Sequence, residues 1–226
     1  MARDNSPKIR QKKHLERKQK QRASYDRILI VSEGSKTEPL YFKEIRAAYR
    51  LQTANLQVYH SELGTEPIQV VEYAEKLFKQ GDPQKNIQPG AFEQVYAVFD
   101  RDEHRTYFDA LKKAESLDGK LENDAKQFVS FKAIASVPSF ELWLLLHFED
   151  IQAPFHRSEV MKLLKKPGNI PDYEKGMNKT FEITRENLDV AIGRAERLAE
   201  RYTAYDDPNP YTGIFDLVKL LTMLSG

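Results

Sequence analysis

Residues 95–99, VYAVF, place apolar side chains at five successive positions and stop abruptly at Asp100-Arg101-Asp102-Glu103-His104. Successive side chains of a strand point to opposite faces, so a strand of this composition needs cover on both sides. Parallel sheets between layers of helices provide that setting. Asp26–Val31 reads as a second buried strand, Asn55–Ser61 as an alternating one and Phe131–Val137 as a fourth. Between them lie helical patterns. One runs from Thr37, a candidate cap, to about Arg50, with Pro39 in its first turn. Another follows Pro67, with Ile68, Val71, Ala74, Leu77 and Phe78 on a 3.6-residue period. A third spans Thr106 to about Leu117, with residues 120–130 extending it, and Ser139 caps a short apolar helix in FELWLLLHF. Gly81–Gly90 is a loop, rich in Gly and Pro. This alternation predicts an α/β fold with a largely parallel sheet flanked by helices.

From residue 153 onward the pattern turns helical. Helices are expected at Arg157–Lys166, Glu186–Tyr202 and Ile214–Leu224, with residues 167–182 irregular and a break at Asp206–Gly213. The expected organisation is a basic arm over 1–24, an α/β domain over 25–152 and a helical C-terminal lobe over 153–226 packed on it.

The net charge of +1 conceals an asymmetry. Arg3, Lys8, Arg10, Lys12, Lys13, Arg17, Lys18, Lys20 and Arg22 face only Asp4 and Glu16. Such an arm suits either a solvated leader or a polyphosphate contact that adds affinity without sequence choice. The chain has no cysteine, which excludes disulfides and thiolate metal sites. No apolar run approaches the roughly 18 residues of a membrane span, and Ile28–Val31 is too short for a signal-peptide core. A cytoplasmic location and no membrane partner are expected.

Two of the buried strands end in acids: the first at Glu33, the third at Asp100 and Asp102. Open α/β sheets bind ligands beyond the carboxyl ends of their strands. If the two strands are neighbours, three carboxylates converge there. Residues i and i+2 of extended backbone point the same way, so Asp100 and Asp102 are expected to face one point. A divalent cation would relieve their repulsion, and Mg2+ suits oxygen ligands. Each acid alone also fits a turn or helix cap. EGSKTE fails as a phosphate loop, because Ser35 separates Gly34 from Lys36 and the upstream glycine is missing.

ILIVSEG followed by VYAVFDRDEH resembles the Toprim fold, the metal-binding domain shared by topoisomerases, primases and OLD-type nucleases, over about residues 26–138. VSEGSKTEPLYF, FDRDEH, VPSFELWLLLHFED and NPYTGIFDLV, in that order, make the whole chain similar to the RloB-like proteins. The resemblance implies a metal-dependent nuclease subunit of a prokaryotic anti-phage defence system, paired with an ATPase of the AAA or ABC type. Glu33 would then act as general acid or base or as a ligand, and Asp100 and Asp102 would hold Mg2+ or Mn2+. The substrate would be nucleic acid, DNA or RNA, and self-association stays open. The competing reading is a non-catalytic subunit that binds nucleic acid or docks on an ATPase.

Further residues carry paired readings. Glu141, the only acid within SFELWLLLHF, is either another metal ligand or a charge favoured by a helix N-terminus. His104 and Lys36 are candidates for substrate contact, or exposed and solvated. Trp143 and His147 read as core. Arg157, Lys162, Lys165 and Lys166 form either a phosphate-binding surface or a solvated helix face.

Overall fold

A computed structural model describes residues 26–53, 55–102, 104–202 and 205–224. The arm expected over residues 1–24 lies outside the described residues, as does Glu103. The first half alternates as β1 (Ile28–Ser32), α1 (Thr37–Ala48), β2 (Leu56–His60), α2 (Pro67–Gln80), β3 (Gln94–Asp100), α3 (Tyr107–Leu117) and β4 (Ser130–Val137). There follow α4 (Glu141–Leu145), α5 (Arg157–Leu164), α6 (Thr180–Thr184), α7 (Leu188–Ala199), β5 (Tyr211–Thr212) and α8 (Ile214–Met223). The sheet order is β2-β1-β3-β4-β5. The first four strands are parallel and β5 is antiparallel to β4. The chain is therefore a mixed α/β protein with a mostly parallel sheet flanked by helices.

The unbroken apolar runs have a direct cause. On β1, Leu29 and Val31 pack with α2 and α3, whereas Ile28 and Ile30 pack with α1 and α4–α8. On β3, Val95, Ala97 and Phe99 join the first layer, and Tyr96 and Val98 the second. The period of two survives, but both phases are covered. The second layer draws on residues from Ile28 to Leu221, so the C-terminal helices and one face of the sheet share a continuous apolar cluster. At its centre Trp143 Nε1 donates to Tyr41 Oη at 2.8 Å, with both rings fully buried.

Local expectations differ from the structure in several places. Residues 120–130 form no helix; Asn123 Oδ1 accepts from Ala125 N and Gln127 N and folds the segment into a turn closed by a Glu122–Phe128 bridge. Ser139 does not cap the backbone of α4, because its hydroxyl donates to Glu141 Oε2 at 2.6 Å. Thr37 is the first residue of α1 and not its cap; its Oγ1 accepts from Gly176 N at 3.1 Å. The expected break at 206–213 contains β5, and the irregular 167–182 stretch contains the start of α6. No helix among the described residues is long and apolar enough to cross a membrane.

Candidate metal centre

β1 and β3 are neighbours, with Ser32 opposite Val98. Their carboxyl ends therefore meet at one edge of the sheet. Glu33 N donates to Val98 O at 2.9 Å, which extends the ladder by one bond and turns the Glu33 side chain over the end of β3. Asp100 N returns the contact, donating to Glu33 Oε2 at 2.9 Å. Asp100 faces Ser136 of β4. Three residues past β4, the Phe140 amide donates to Asp100 Oδ1 at 2.8 Å and ties this edge to the start of α4.

Asp102 does not reach the site as extended backbone. The strand ends at Asp100, and Asp102 sits in a turn at φ +38°, a left-handed region that Asp tolerates better than most residues. The i, i+2 rule lapses with the strand. The two carboxylates nonetheless approach one cation. Arg157, the first residue of α5, pairs through Nη1 with Asp102 Oδ2 and places Nη2 3.8 Å from Asp100 Oδ2.

One ligand atom each from Glu33, Asp102 and His104 lies within 4.8 Å of the others, a group of metal-ligating type among the described residues. His104 is oriented from behind. Its Nδ1 is 3.0 Å from Glu66 Oε1, and Glu66 Oε2 also accepts from Thr106 Oγ1 at 2.7 Å. The Glu66 carboxylate holds Nδ1, so that Nε2 is the nitrogen turned toward Glu33 Oε1, 3.7 Å away.

Asp100 and Glu141 stand outside that group. Asp100 is engaged by Phe140. Glu141, 2% exposed, takes hydrogen bonds from Ser139 Oγ and from Tyr173 Oη at 3.2 Å, with Lys175 Nζ at 3.9 Å. Both line a cavity of about 170 Å3 with Glu33, Glu38, Lys36 and Lys175. A second cavity of about 730 Å3 adjoins it, walled by Asp102, His104, Arg101 and Phe155, and Arg157 borders both.

The acids strain against one another. Burial, then the charges of Glu38, Glu33 and Glu141, pushes Asp100 well above the usual carboxylate range. Burial, then Glu141 and Glu33, pushes Glu38 up to about 7. Burial raises Glu33 as well, against the opposing Asp100 amide. Two carboxylates and an imidazole within ligating reach, backed by acids that resist ionisation together, fit a divalent cation.

Glu38 and Glu66 are the residues that sequence reasoning missed. Each precedes a proline near a helix start, Glu38 in the first turn of α1 and Glu66 at the cap of α2, and reads as an ordinary helix-end acid. A signal was present for Glu38, because α1 starts at the same sheet edge as Glu33. Gly34 allows the closeness: a Cβ there would lie 2.4 Å from Glu38 Oε2.

A family model described as RloB-like protein matches residues 28–221, nearly the whole described chain, and the protein belongs to that family. No curated protein and no solved structure matches it.

Proposed function

We propose that this RloB-like protein is a nuclease subunit that hydrolyses phosphodiesters with a divalent cation held in a Toprim-like site. The observation that supports this most strongly is the approach of Glu33, Asp102 and His104 ligand atoms to within 4.8 Å of one another beyond the carboxyl ends of parallel strands. Those three residues would hold the cation, with Asp100 and Glu141 as further acids of the site. An imidazole among oxygen donors favours Mn2+ over Mg2+, which prefers an all-oxygen shell. Bound there, such an ion polarises a phosphoryl oxygen and lowers the pKa of water.

The chain's own groups supply the rest. Glu33 keeps Oε2 on the Asp100 amide, which leaves Oε1 to face the cation. Asp100 fixes the end of β3 against Phe140 and so positions Glu33. Lys36 and Lys175, which line the smaller cavity, would meet substrate phosphates. The family resemblance extends the proposal to an anti-phage defence system with an AAA- or ABC-type ATPase as partner.

The test is a calorimetric titration of Mn2+ into the protein and into Asp102→Asn, with folding checked by circular dichroism. Saturable binding that the variant weakens at least about tenfold, together with chelator-sensitive cleavage of nucleic acid, is the expected result. Identical titrations of the two proteins would overturn it and favour the non-catalytic subunit.

A further inference from the structure

Arg157 occupies an unusual position. It is the one described cation paired with both Asp100 and Asp102, and its side chain is 32% exposed. It is also the wall between the two cavities. On one side are Glu33, Glu38, Asp100 and Glu141, beside which the described cations of the smaller cavity are Lys36, Arg157 and Lys175. On the other is a space with an apolar floor of Val137, Pro138 and Phe155 and polar walls that include Arg101 and Asn209. Its volume of about 730 Å3 falls within the range of roughly 300–1,000 Å3 typical of small-ligand sites. That accommodates an unpaired nucleotide, not a duplex. Phe155 is held in place, because Asn209 Oδ1 accepts from Phe155 N at 3.1 Å and Asn209 Nδ2 donates to Phe155 O at 3.0 Å.

A guanidinium and a divalent cation on the Asp102 carboxylate repel each other, which favours release of the guanidinium when the cation binds. It has somewhere to go. A guanidinium presents a planar fork that matches two phosphate oxygens, and Arg157 already borders the larger cavity as well as the smaller.

We propose that Arg157 is an exchangeable counter-ion: it holds Asp100 and Asp102 while the metal is absent, yields Asp102 to a divalent cation, and then grips a phosphodiester of single-stranded nucleic acid in the larger cavity. This rests on the metal-site reading above and adds the residue that couples metal to substrate. Metal and strand then bind with positive cooperativity, and the coupling runs through one side chain.

The experiment titrates Mn2+ into the full-length protein, Arg157→Gln and Lys36→Gln, with thermal melts as the folding check. Arg157→Gln is expected to bind Mn2+ about tenfold tighter than the parent. Lys36→Gln removes the same charge from the cavity without touching Asp102, and is expected to shift affinity by about threefold or less. A parent that binds no Mn2+ beside an Arg157→Gln variant that does would also support the exchange. Equal or weaker binding by Arg157→Gln, or the same gain in both variants, overturns it while leaving the metal site standing. Silence from all three proteins removes the metal site and the exchange with it.

Repeating the titration with a single-stranded phosphorothioate oligonucleotide tests the second half. The parent's Mn2+ affinity is expected to rise about tenfold and that of Arg157→Gln to stay level; an equal rise in both overturns the phosphate grip. Should the glutamine variant unfold, Arg157→Lys, which keeps the charge but loses the fork, is expected to give an intermediate metal affinity and a reduced coupling. Parent-like values for both would overturn the proposal.

Discussion

His104 has two ring nitrogens with different neighbours, and the one turned away from the carboxylate group decides what the other can do. Glu66 holds Nδ1 and thereby turns Nε2 toward the carboxylate group. Glu66→Gln should weaken Mn2+ binding by about tenfold while leaving the melting temperature nearly unchanged, because Glu66 is 44% exposed. Calorimetry and a thermal melt on one preparation check both. His147 behaves in the opposite way. It is buried, its Nδ1–H donates to Trp143 O at 2.9 Å, and its Nε2 has no partner among the described residues. Burial lowers its pKa to about 4. The unfolded chain protonates this residue near pH 6.5 and the folded chain only near 4. His147 therefore costs stability progressively as pH falls through that window, about 3 kcal/mol in all, and no more below it. Urea midpoints at pH 7, 5.5 and 4.5 should drop less for His147→Phe than for the parent. The burial of Trp143 and His147 was legible from their apolar neighbours. The burial of Glu38 was not, since a single acid after EGSKT carries no period.

Among the elements, the four parallel strands lay within a residue or two of where their apolar runs placed them. β1 and β3, covered on both faces, have no polar phase to blur their ends, and β2 was placed by its alternation. β5 escaped notice for the opposite reason. Two residues have no period, and only the edge of β4 makes them a strand. Ser136 Oγ and Thr212 Oγ1 lie 2.9 Å apart and fully buried across that pairing. Thr212→Val should cost about 1 kcal/mol, read as a lower denaturant midpoint with an unchanged slope. The expected helix over 120–130 failed on side-chain chemistry: one Asn carboxamide competing for backbone amides outweighed a weak helical pattern. For the centre itself, the meeting of Glu33 with Asp100 followed from strand adjacency and was foreseeable. The route of Asp102 into it was not, because a turn and not a pleat aims that side chain.

The whole molecule is bound by the cluster running from Ile28 to Leu221. A chain cut after residue 152 would leave Ile28, Ile30, Tyr96 and Val98 without the α5–α8 layer, at roughly 1.5–3 kcal/mol for each large side chain exposed. Such losses exceed the 5–15 kcal/mol of a typical domain within a few residues. The truncated protein should therefore lack a cooperative melt, whereas the intact chain should unfold in a single transition by circular dichroism and fluorescence alike. The same cluster also sets an order in time. Strand β1 is made before the other described elements, and α8, the helix that completes the cover of its Ile28 face, after them. Until α8 is made the nascent chain carries an apolar sheet face that is only partly covered, so its yield in the cell should depend on chaperone supply more than its final stability would suggest.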